Sequence, residues 1–442
     1  MRFCMITTFF PPFHFGGDGL FVQRLSNELA RRGHTVEVVH CVDSYRLLGG
    51  KERPAGEKLH PNVRVHRLKS ALGPLAPAAT YLSGRPLVHG SRIRSILSQG
   101  FDVVHFHNIS LVGGPGILAC GDAVKLYTPH EYWLVCPTHV LFRNRQEACD
   151  RRRCLRCLLA HGRPPQPWRW GRLVERSISR VDCFLGLTHF VLAEHERRGL
   201  RLDGVVLPTF APQWMEPDTT TPSTPIPQAM QSSTTPASPK IALDGMPRDG
   251  EYFLFSGRLE KLKGLQTLLP LFRRRPDLRL LIAGSGSYER HLKSLALGHD
   301  NIAFLGRLDK QTLAHLYRGA IALLVPSLCP EIAPLVILEA FQQGTPVIAR
   351  RIGSIPEMLG EGAKPTANAG GVEPWTTMDG DRGELFDTIE EAEAAMDRLS
   401  RDRERRAALS RACLAHARDE CSLEKHVDRY LEIVARLVRP GA

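Results

Sequence analysis

The residues with the most specific chemistry stand in the stretch PEIAPLVILEAF. Glu331 follows an apolar run, Pro334 favours the first position of a helix, and Glu339 falls one to two turns into that helix. The amides of Leu335 and Val336 at the helix start would attract an anion. Because carboxylates accept hydrogen bonds from hydroxyl groups, the spacing predicts a sugar nucleotide, with its diphosphate at the helix start and a carboxylate on either side. The alternative is that Glu331 caps the helix and Glu339 lies on the surface.

Cations and glycines stand in three neighbouring loops. Arg258 and Lys263 follow the run YFLFSG, and a guanidinium beside an ammonium suits a diphosphate, although both side chains could equally be solvated. Gly284 in AGSGSYE permits a close backbone approach to a ligand. Gly306 and Arg307 follow the run IAFLG, where backbone groups could contact a base.

The elements that must position these residues are predicted by periodicity. Strand-like runs alternate with amphipathic helical patterns, and the alternation stops and then restarts, which is typical of two α/β, Rossmann-like domains with parallel sheets. Ligands of such sheets bind beyond the carboxyl ends of the strands. The predicted parts are an N-terminal domain at 1–215, a Ser/Thr/Pro-rich linker at 216–248, a C-terminal domain at 249–420, and a last helix at 421–442 that could pack back on the first domain.

Positive charge is concentrated in the first half. Residues 1–210 hold 29 Lys and Arg against 16 Asp and Glu, net +13, and the remaining 29 against 30 give −1. This surface favours an anionic partner such as a lipid layer or a lipid-linked phosphate, or it serves solubility alone. The mixed apolar and basic segment at 71–97 could contact a membrane or form a covered helix pair. No apolar run is long enough to span a bilayer, so we expect a cytoplasmic protein. Peripheral contact with the inner face of the membrane is a further option.

Four of the eleven cysteines stand apart from apolar runs. Cys136, Cys149, Cys154 and Cys157 follow TPHEYW in charged, loop-like sequence, as an insertion at about 136–157. Thiolates at this density suit a structural, tetrahedral zinc ion. An iron-sulfur cluster and free or redox-active thiols are the alternatives.

Taken together, these motifs resemble family 4 of the retaining glycosyltransferases, also described as glycosyl transferases group 1. The resemblance rests on FSGRLEKLKG, IAGSGSYE, FLGRL and PSLCPEIAPLVILEAFQQGTPVIARRIGSIPE, and more thinly on PPFHFGGDGLFVQRLSNELARRGHTVEVV and TPHEYW. It implies the GT-B architecture, in which two facing Rossmann-like domains enclose a donor cleft and the first domain lies on the acceptor side.

The resemblance also implies roles for residues of the second domain. Arg258 and Lys263 would hold the diphosphate. Glu331 would contact the hydroxyls of the transferred sugar, and Glu339 would contact the ribose.

Three residues of the first domain receive roles by the same resemblance. Gly16 and Gly17 would approach the diphosphate from across the cleft, and His130 in TPHEYW would lie near the transferred sugar. Members of the family retain the anomeric configuration by front-face attack, which needs no enzymic nucleophile and no catalytic metal. The DGD at 379–381 is therefore interpreted as a turn in an irregular loop at 360–382.

We therefore expect a retaining transfer of a hexose-type sugar from a nucleotide-diphosphate sugar to an acceptor hydroxyl, in glycan, polysaccharide or glycolipid biosynthesis. The acceptor is unknown and could be lipid-linked or anionic. One alternative is a catalytically silent protein that binds sugar nucleotides. A basic, zinc-containing nucleic-acid-binding protein is the other, but the basic residues are scattered, and we expect no nucleic acid partner.

Overall fold

The computed structural model describes residues 1–50, 58–151, 153–212, 249–361 and 382–438. The predicted linker at 216–248 lies outside the described residues, and so do the DGD at 379–381 and most of the predicted loop at 360–382. The boundaries proposed for the two domains therefore stay a prediction.

The N-terminal half is built on a parallel sheet. Its seven strands run in the order β3-β2-β1-β4-β5-β8-β9. They are β1 (Arg2–Ile6), β2 (Thr35–Cys41), β3 (Val63–Leu68), β4 (Val103–Phe106), β5 (Val124–Tyr127), β8 (Cys183–Gly186) and β9 (Gly204–Val206). A separate small antiparallel hairpin consists of β6 (Phe142–Arg143) and β7 (Glu147–Ala148).

Helices cover this sheet and connect its strands. They are α1 (Gly17–Arg31), α2 (Val42–Leu47), α3 (Leu75–Ser83), α4 (Gly90–Leu97), α5 (Cys154–Ala160), α6 (Leu173–Ile178) and α7 (His189–Arg197). The strand β1 lies inside the sheet, between β2 and β4, with every residue from Phe3 to Ile6 fully buried, as expected for a strand covered on both faces.

The C-terminal half repeats the arrangement with six parallel strands in the order β12-β11-β10-β13-β14-β15. They are β10 (Phe253–Ser256), β11 (Leu280–Ala283), β12 (Ile302–Gly306), β13 (Leu323–Val325), β14 (Val347–Arg350) and β15 (Gly383–Phe386). The helices are α8 (Leu269–Arg274), α9 (Glu289–Leu295), α10 (Lys310–Gly319), α11 (Leu335–Gln342), α12 (Ile355–Met358), α13 (Ile389–Arg401), α14 (Arg403–Glu420) and α15 (Leu423–Val438).

The prediction of two Rossmann-like domains with parallel sheets is confirmed. In each sheet the strand order reverses beside the first strand of the domain, and such a reversal is where doubly wound sheets bind ligands.

The last helix belongs structurally to the first half. The α15 side chains of Val427, Tyr430 and Val434 are fully buried in one hydrophobic cluster with Phe3 of β1 and Phe21 of α1. The chain therefore crosses back to the N-terminal sheet after α14. Within the described ranges, no helix is both long and apolar enough to cross a membrane.

Candidate functional site

Glu331 lies in the loop between β13 and α11, at the carboxyl edge of the second sheet. Its Oε1 accepts a hydrogen bond from Nζ of Lys263 at 2.8 Å and another from Oγ of Ser327 at 2.7 Å. The two charged side chains are only 23% and 13% exposed. The carboxylate is therefore held in one orientation by two donors from the same domain.

Burial and charge act in opposite directions on this pair. Burial favours a raised pKa for Glu331, but Lys263 and the Ser327 hydroxyl outweigh it and lower the pKa. Burial likewise works to lower the pKa of Lys263, while Glu331 raises it overall. Both groups are therefore charged at neutral pH, and Glu331 is not suited to act as a general acid.

The helix α11 begins next to this pair. Pro334 has an extended backbone and is the N-cap residue, so the helix begins at Leu335, one residue later than predicted. The first amides of a helix, here those of Leu335 and Val336, have no partner within the helix. The helix ends before Gly344, whose φ of 70° terminates it as predicted.

The start of α1 in the first half faces this helix start. Gly16 is its N-cap residue and Gly17 its first residue. A Cβ atom on Gly17 would lie 2.7 Å from Cδ1 of Leu335, whereas one on Gly16 would meet only Asp18, at 3.6 Å. Two helix starts, one from each half, thus meet across the cleft, and the positive ends of both helices would favour an anion between them.

Glu339 lies one turn along α11 and is half-buried. Its Oε2 accepts a hydrogen bond from the Tyr317 hydroxyl at 3.0 Å. Burial raises the pKa of Glu339, and Tyr317 partly offsets this effect. A carboxylate has two oxygens, and this hydrogen bond fixes one of them; the other can accept a hydrogen bond from a ligand hydroxyl.

The other predicted donor residues lie on the loops after β10, β11 and β12. Arg258 is 70% exposed and donates to Glu260 at 2.9 Å instead of contacting Glu331. Arg307 is exposed and donates to Ser285 at 2.7 Å. The fold itself requires glycine at position 284, since a Cβ there would lie 1.9 Å from the Gly257 carbonyl oxygen.

Gly306 ends β12 with a φ of 69°, a conformation that favours glycine. No other atom would lie within 4 Å of a Cβ at this position. The loop beside it is therefore open to solvent or to a ligand.

His130 follows β5 on the opposite side of the cleft. Its Nε2 lies 3.1 Å from Nδ1 of His107, and its ring packs edge-on against Phe21 at 4.8 Å between centroids. Burial, together with the nearby His426, lowers the pKa of His130 to about 3. His130 is therefore neutral at physiological pH. One of its ring nitrogens can donate a hydrogen bond, and the other can accept one.

Contacts between the halves also involve residues beside the site. The Tyr132 hydroxyl donates to the backbone oxygen of Glu331 at 3.3 Å. The Glu357 carboxylate accepts hydrogen bonds from the backbone amides of His189 and Phe190, at 2.9 and 3.2 Å. A residue of α12 thus caps α7 of the first half.

The four predicted zinc ligands lie in one stretch of chain: Cys136 and Cys149 stand between β5 and α5, and Cys154 and Cys157 are in α5. Cys136 and Cys157 are buried, and Cys149 and Cys154 are half-buried. In the part of the chain that the structure describes, no three His, Cys, Asp or Glu side chains are already arranged as a metal centre. The zinc site stays a prediction.

Three partners of these residues were not predicted from the sequence. They are Ser327 beside Glu331, Tyr317 beside Glu339 and His107 beside His130. Ser327 carries a local signal, since it stands four residues before Glu331 at the end of a strand. Tyr317 and His107 reach the site from other elements, so no local spacing indicates them.

Comparison with known proteins covers both halves of the chain. The family described as Glycosyltransferase Family 4 matches residues 15–210, and Glycosyl transferases group 1 matches residues 244–413. The D-inositol 3-phosphate glycosyltransferase of Saccharomonospora viridis is 30% identical over 365 residues, which are 77% of this chain and 74% of that protein.

Solved structures share the fold over nearly the whole chain. Sucrose-phosphate synthase from Thermosynechococcus elongatus superposes with a TM-score of 0.67 at 18% identity, covering 99% of this chain and 98% of that one. HepE from Anabaena in complex with UDP-glucose has a TM-score of 0.58 at 16% identity, covering 98% and 99%. The chain therefore has the GT-B fold and belongs to glycosyltransferase family 4.

Proposed function

We propose that this glycosyltransferase moves a hexose-type sugar, with retention of anomeric configuration, from a nucleotide-diphosphate sugar to an acceptor hydroxyl. The observation that carries the proposal is the half-buried Lys263–Glu331 pair beside the start of α11. The ammonium of Lys263 and the two helix starts would bind a diphosphate. The fixed, ionised carboxylate of Glu331 beside them would accept hydrogen bonds from sugar hydroxyls.

Lys263 has the donors that this role needs. An ammonium carries three N–H donors, so Lys263 can hold Glu331 and still donate to a phosphate oxygen. Arg258 is exposed at the edge of the same loop and could turn from Glu260 towards the diphosphate. On this view Lys263, Arg258 and the amides of Leu335 and Val336 stabilise the charge that develops on the departing diphosphate.

Glu331 orients the transferred sugar in this proposal and does not attack it. Its lowered pKa excludes the role of proton donor at neutral pH, and its rigid hydrogen bonds suit the reading of hydroxyl positions. The leaving phosphate itself would help to take the proton of the acceptor hydroxyl. Neutral His130 would contact the sugar from the opposite side, and Glu339 would contact the ribose.

The acceptor is proposed to be anionic. The net charge of +13 over residues 1–210 favours a phosphorylated acceptor. The Saccharomonospora viridis relative is named for inositol 3-phosphate, which makes a phosphorylated polyol the first acceptor to test. A lipid-linked phosphate is the second.

Contact with the inner face of a membrane is proposed for the segment at 71–97. Leu72, Leu75, Leu82 and Leu87 are 52 to 67% exposed at and around α3, whereas α4 buries Ile93 and its neighbours. Exposed leucines beside arginines suit an anionic lipid surface. Failure to bind anionic vesicles at low salt would remove this part of the proposal.

The test begins with the donor. UDP-, GDP- and ADP-sugars are screened by thermal shift, and a ligand at 100 times its Kd should stabilise the protein by about 2.7 kcal/mol. The stabilising donor is then incubated with inositol phosphates, and NMR of the product gives the anomeric configuration. Transfer with retention supports the proposal. Donor binding with neither transfer nor slow hydrolysis would indicate a silent sugar-nucleotide-binding protein. A product with inverted anomeric configuration would contradict the mechanism.

A further inference from the structure

The segment from Cys136 to Cys157, here named the cysteine segment, has little regular structure. It contains the hairpin β6–β7 and the beginning of α5. Among the described residues, the non-glycine positions with positive φ all fall within it, at His139, Leu141, Asn144 and Arg145. Positive φ is common in hairpin turns such as that of Asn144 and Arg145, whereas His139 and Leu141 lie outside the turn and cost about 1 kcal/mol each.

The four thiols of the cysteine segment come from separate pieces of chain, and in the described residues no three of them are yet close enough to hold an ion. Cys149 lies within electrostatic range of Cys136 and Cys157. The backbone amide of Asn144 donates to Sγ of Cys157 at 3.4 Å. Cys154 begins α5 one turn before Cys157, so these two side chains lie on the same side of the helix.

Two cations surround the thiols. Arg198 donates to the backbone oxygen of Cys149 at 2.5 Å, and its other nitrogen lies 3.8 Å from Sγ of the same residue. Arg169 packs against the rings of Trp133 and Trp168 and is within electrostatic range of Cys136 and Cys154. Arg198 is also paired with Glu194 at 2.6 Å, and Arg169 donates to the backbone oxygens of Trp133 and Leu134, so both cations already have partners. Their positive charge would still favour thiolates nearby.

We propose that Cys136, Cys149, Cys154 and Cys157 bind one structural zinc ion. Each thiol gives its proton to solvent, and the four thiolates bind Zn2+ to form a centre of net charge −2, which Arg169 and Arg198 offset. Because all four tetrahedral positions are filled by protein, the ion has no place for water and is structural. The described residues hold no finished coordination shell, so the side chains close around the ion as it binds.

The zinc centre would support one wall of the donor cleft, an extension that rests on the proposed function. Tyr132 is buried in a cluster with Cys136 and Leu141, and Ile332 from the loop of Glu331 joins the same cluster. The Tyr132 hydroxyl also contacts the backbone of Glu331. The zinc centre thus fixes the face against which the sugar-reading loop packs.

Metal analysis of the full chain, purified without chelators, tests the site directly. One zinc per chain is expected, and cobalt substitution should give thiolate charge-transfer and tetrahedral d–d bands. Cys154→Ser and Cys157→Ser should lose the metal. The matched control Cys120→Ser, another buried cysteine of the same half, should keep it.

Several results would overturn the zinc site. They are an absence of zinc from the native chain, iron with inorganic sulfide in its place, or full zinc content in the Cys154→Ser/Cys157→Ser double variant. Should these variants not fold, mercurial titration of the native thiols replaces them: zinc should be released in step with thiol modification, and an absence of release would overturn the proposal.

Tyr132→Phe tests the supporting role. It should raise the KM for the donor severalfold while the zinc content stays at one per chain, and an unchanged KM would overturn that role. Zinc binding in a protein without transfer activity would refute the proposed function and leave the metal site standing, so the two failures are distinguishable.

Discussion

Glu331 shows how its surroundings decide the role of a carboxylate. Two donors fix its Oε1, and the charge of Lys263 keeps it ionised despite burial. Glu339, by contrast, has a raised pKa, and the Tyr317 hydroxyl donates to its Oε2. The two glutamates therefore suit hydrogen bonding to hydroxyl groups.

His107 is expected to act as a positioning residue for His130. His107→Phe keeps the ring volume but removes the 3.1 Å contact, so the His130 ring loses its fixed orientation. Since one neutral hydrogen bond contributes about 1 kcal/mol, we expect kcat to fall roughly five- to tenfold with little change in the KM for the donor. Steady-state kinetics with the donor found in the screen measure both constants.

The matched control for this variant is His40→Phe. His40 is fully buried in the same half and packs against Phe10 and Phe13. An equal loss of kcat in both variants would show that packing, and not the contact with His130, is responsible.

Residue types and spacing predict the charged residues of the site but not their partners. Glu331, Lys263 and the helix start could be predicted because they stand in one short motif or at a strand end. Tyr317 and His107 approach from other elements, and only the folded sheet brings them to Glu339 and His130.

At the scale of elements, Glu357 joins α12 to the start of α7 in the other half. It accepts hydrogen bonds from two backbone amides of α7. Glu357→Ala removes this cap, which contributes about 1 kcal/mol, and should lower Tm by about 2–4 °C. It should also speed hydrogen exchange at the amides of His189 and Phe190, measured by mass spectrometry.

Asp402→Ala is the matched control. Asp402 caps α14 through the amide of Arg405 at 2.8 Å, within a single half. It should lower Tm by a similar amount without faster exchange at α7. Faster exchange there in the control, or unchanged exchange in Glu357→Ala, would contradict the role of Glu357 as a link between halves.

The same link should respond to pH through His189. Its Nδ1 lies 2.9 Å from Oε1 of Glu357, and this hydrogen bond raises the pKa of His189 above the ordinary 6.5. The added stability is therefore fully present below pH 6.5 and is lost as the pH rises through the raised value. Exchange at α7 should speed up between pH 6 and pH 8 beyond the intrinsic change, and His189→Gln should remove this extra dependence.

The predicted strand runs include the central strands and the edge strand β12, which is the run IAFLG, but not the edge strands β3, β9 and β15. Strands β1, β4, β10 and β13 consist mainly of apolar residues because both faces of each sheet are covered. The edge strands β3, β9 and β15 are short or carry polar residues, so their patterns resemble loops. These edge strands form because the backbone of the neighbouring strand provides hydrogen-bond partners, and the local sequence does not reveal that neighbour.

At the scale of the whole molecule, buried histidines should make the fold sensitive to acid. Burial lowers the pKa of His40 to about 3, of His130 to about 3 and of His426 to about 4. Below pH 6.5 the unfolded chain therefore binds more protons than the folded one, so the folded state loses stability as the pH falls from 6.5 towards the lowered pKa values. Above pH 6.5 these histidines are neutral in both states and do not change the stability. Tm measured from pH 7.5 to pH 4.5 tests this expectation.

The variant His40→Phe gives the contrast. It removes one of these groups, so its Tm should fall less steeply with acid than that of the native chain. Equal slopes for the two proteins, or a native Tm that stays constant down to pH 4.5, would contradict the explanation.

Fold class and the pairing of two similar halves could be predicted because hydrophobic periodicity restarts after a polar segment. The return of α15 to the first sheet was left open by the sequence. Its apolar face fits any open sheet surface, and only the packing of Tyr430 and Val427 against Phe3 decides which half it joins.

The most direct test of the central claim is Glu331→Gln, assayed with the nucleoside diphosphate alone and with the complete sugar nucleotide. The account predicts that the diphosphate binds within about twofold of the native affinity, because Lys263 and the helix start remain. Loss of a charged hydrogen bond of about 1.5–3 kcal/mol should lower kcat/KM for transfer by about 10- to 100-fold. Glu404→Gln, an exposed control on α14, should change neither quantity. Native turnover in Glu331→Gln would contradict the assignment of Glu331 as the residue that positions the sugar.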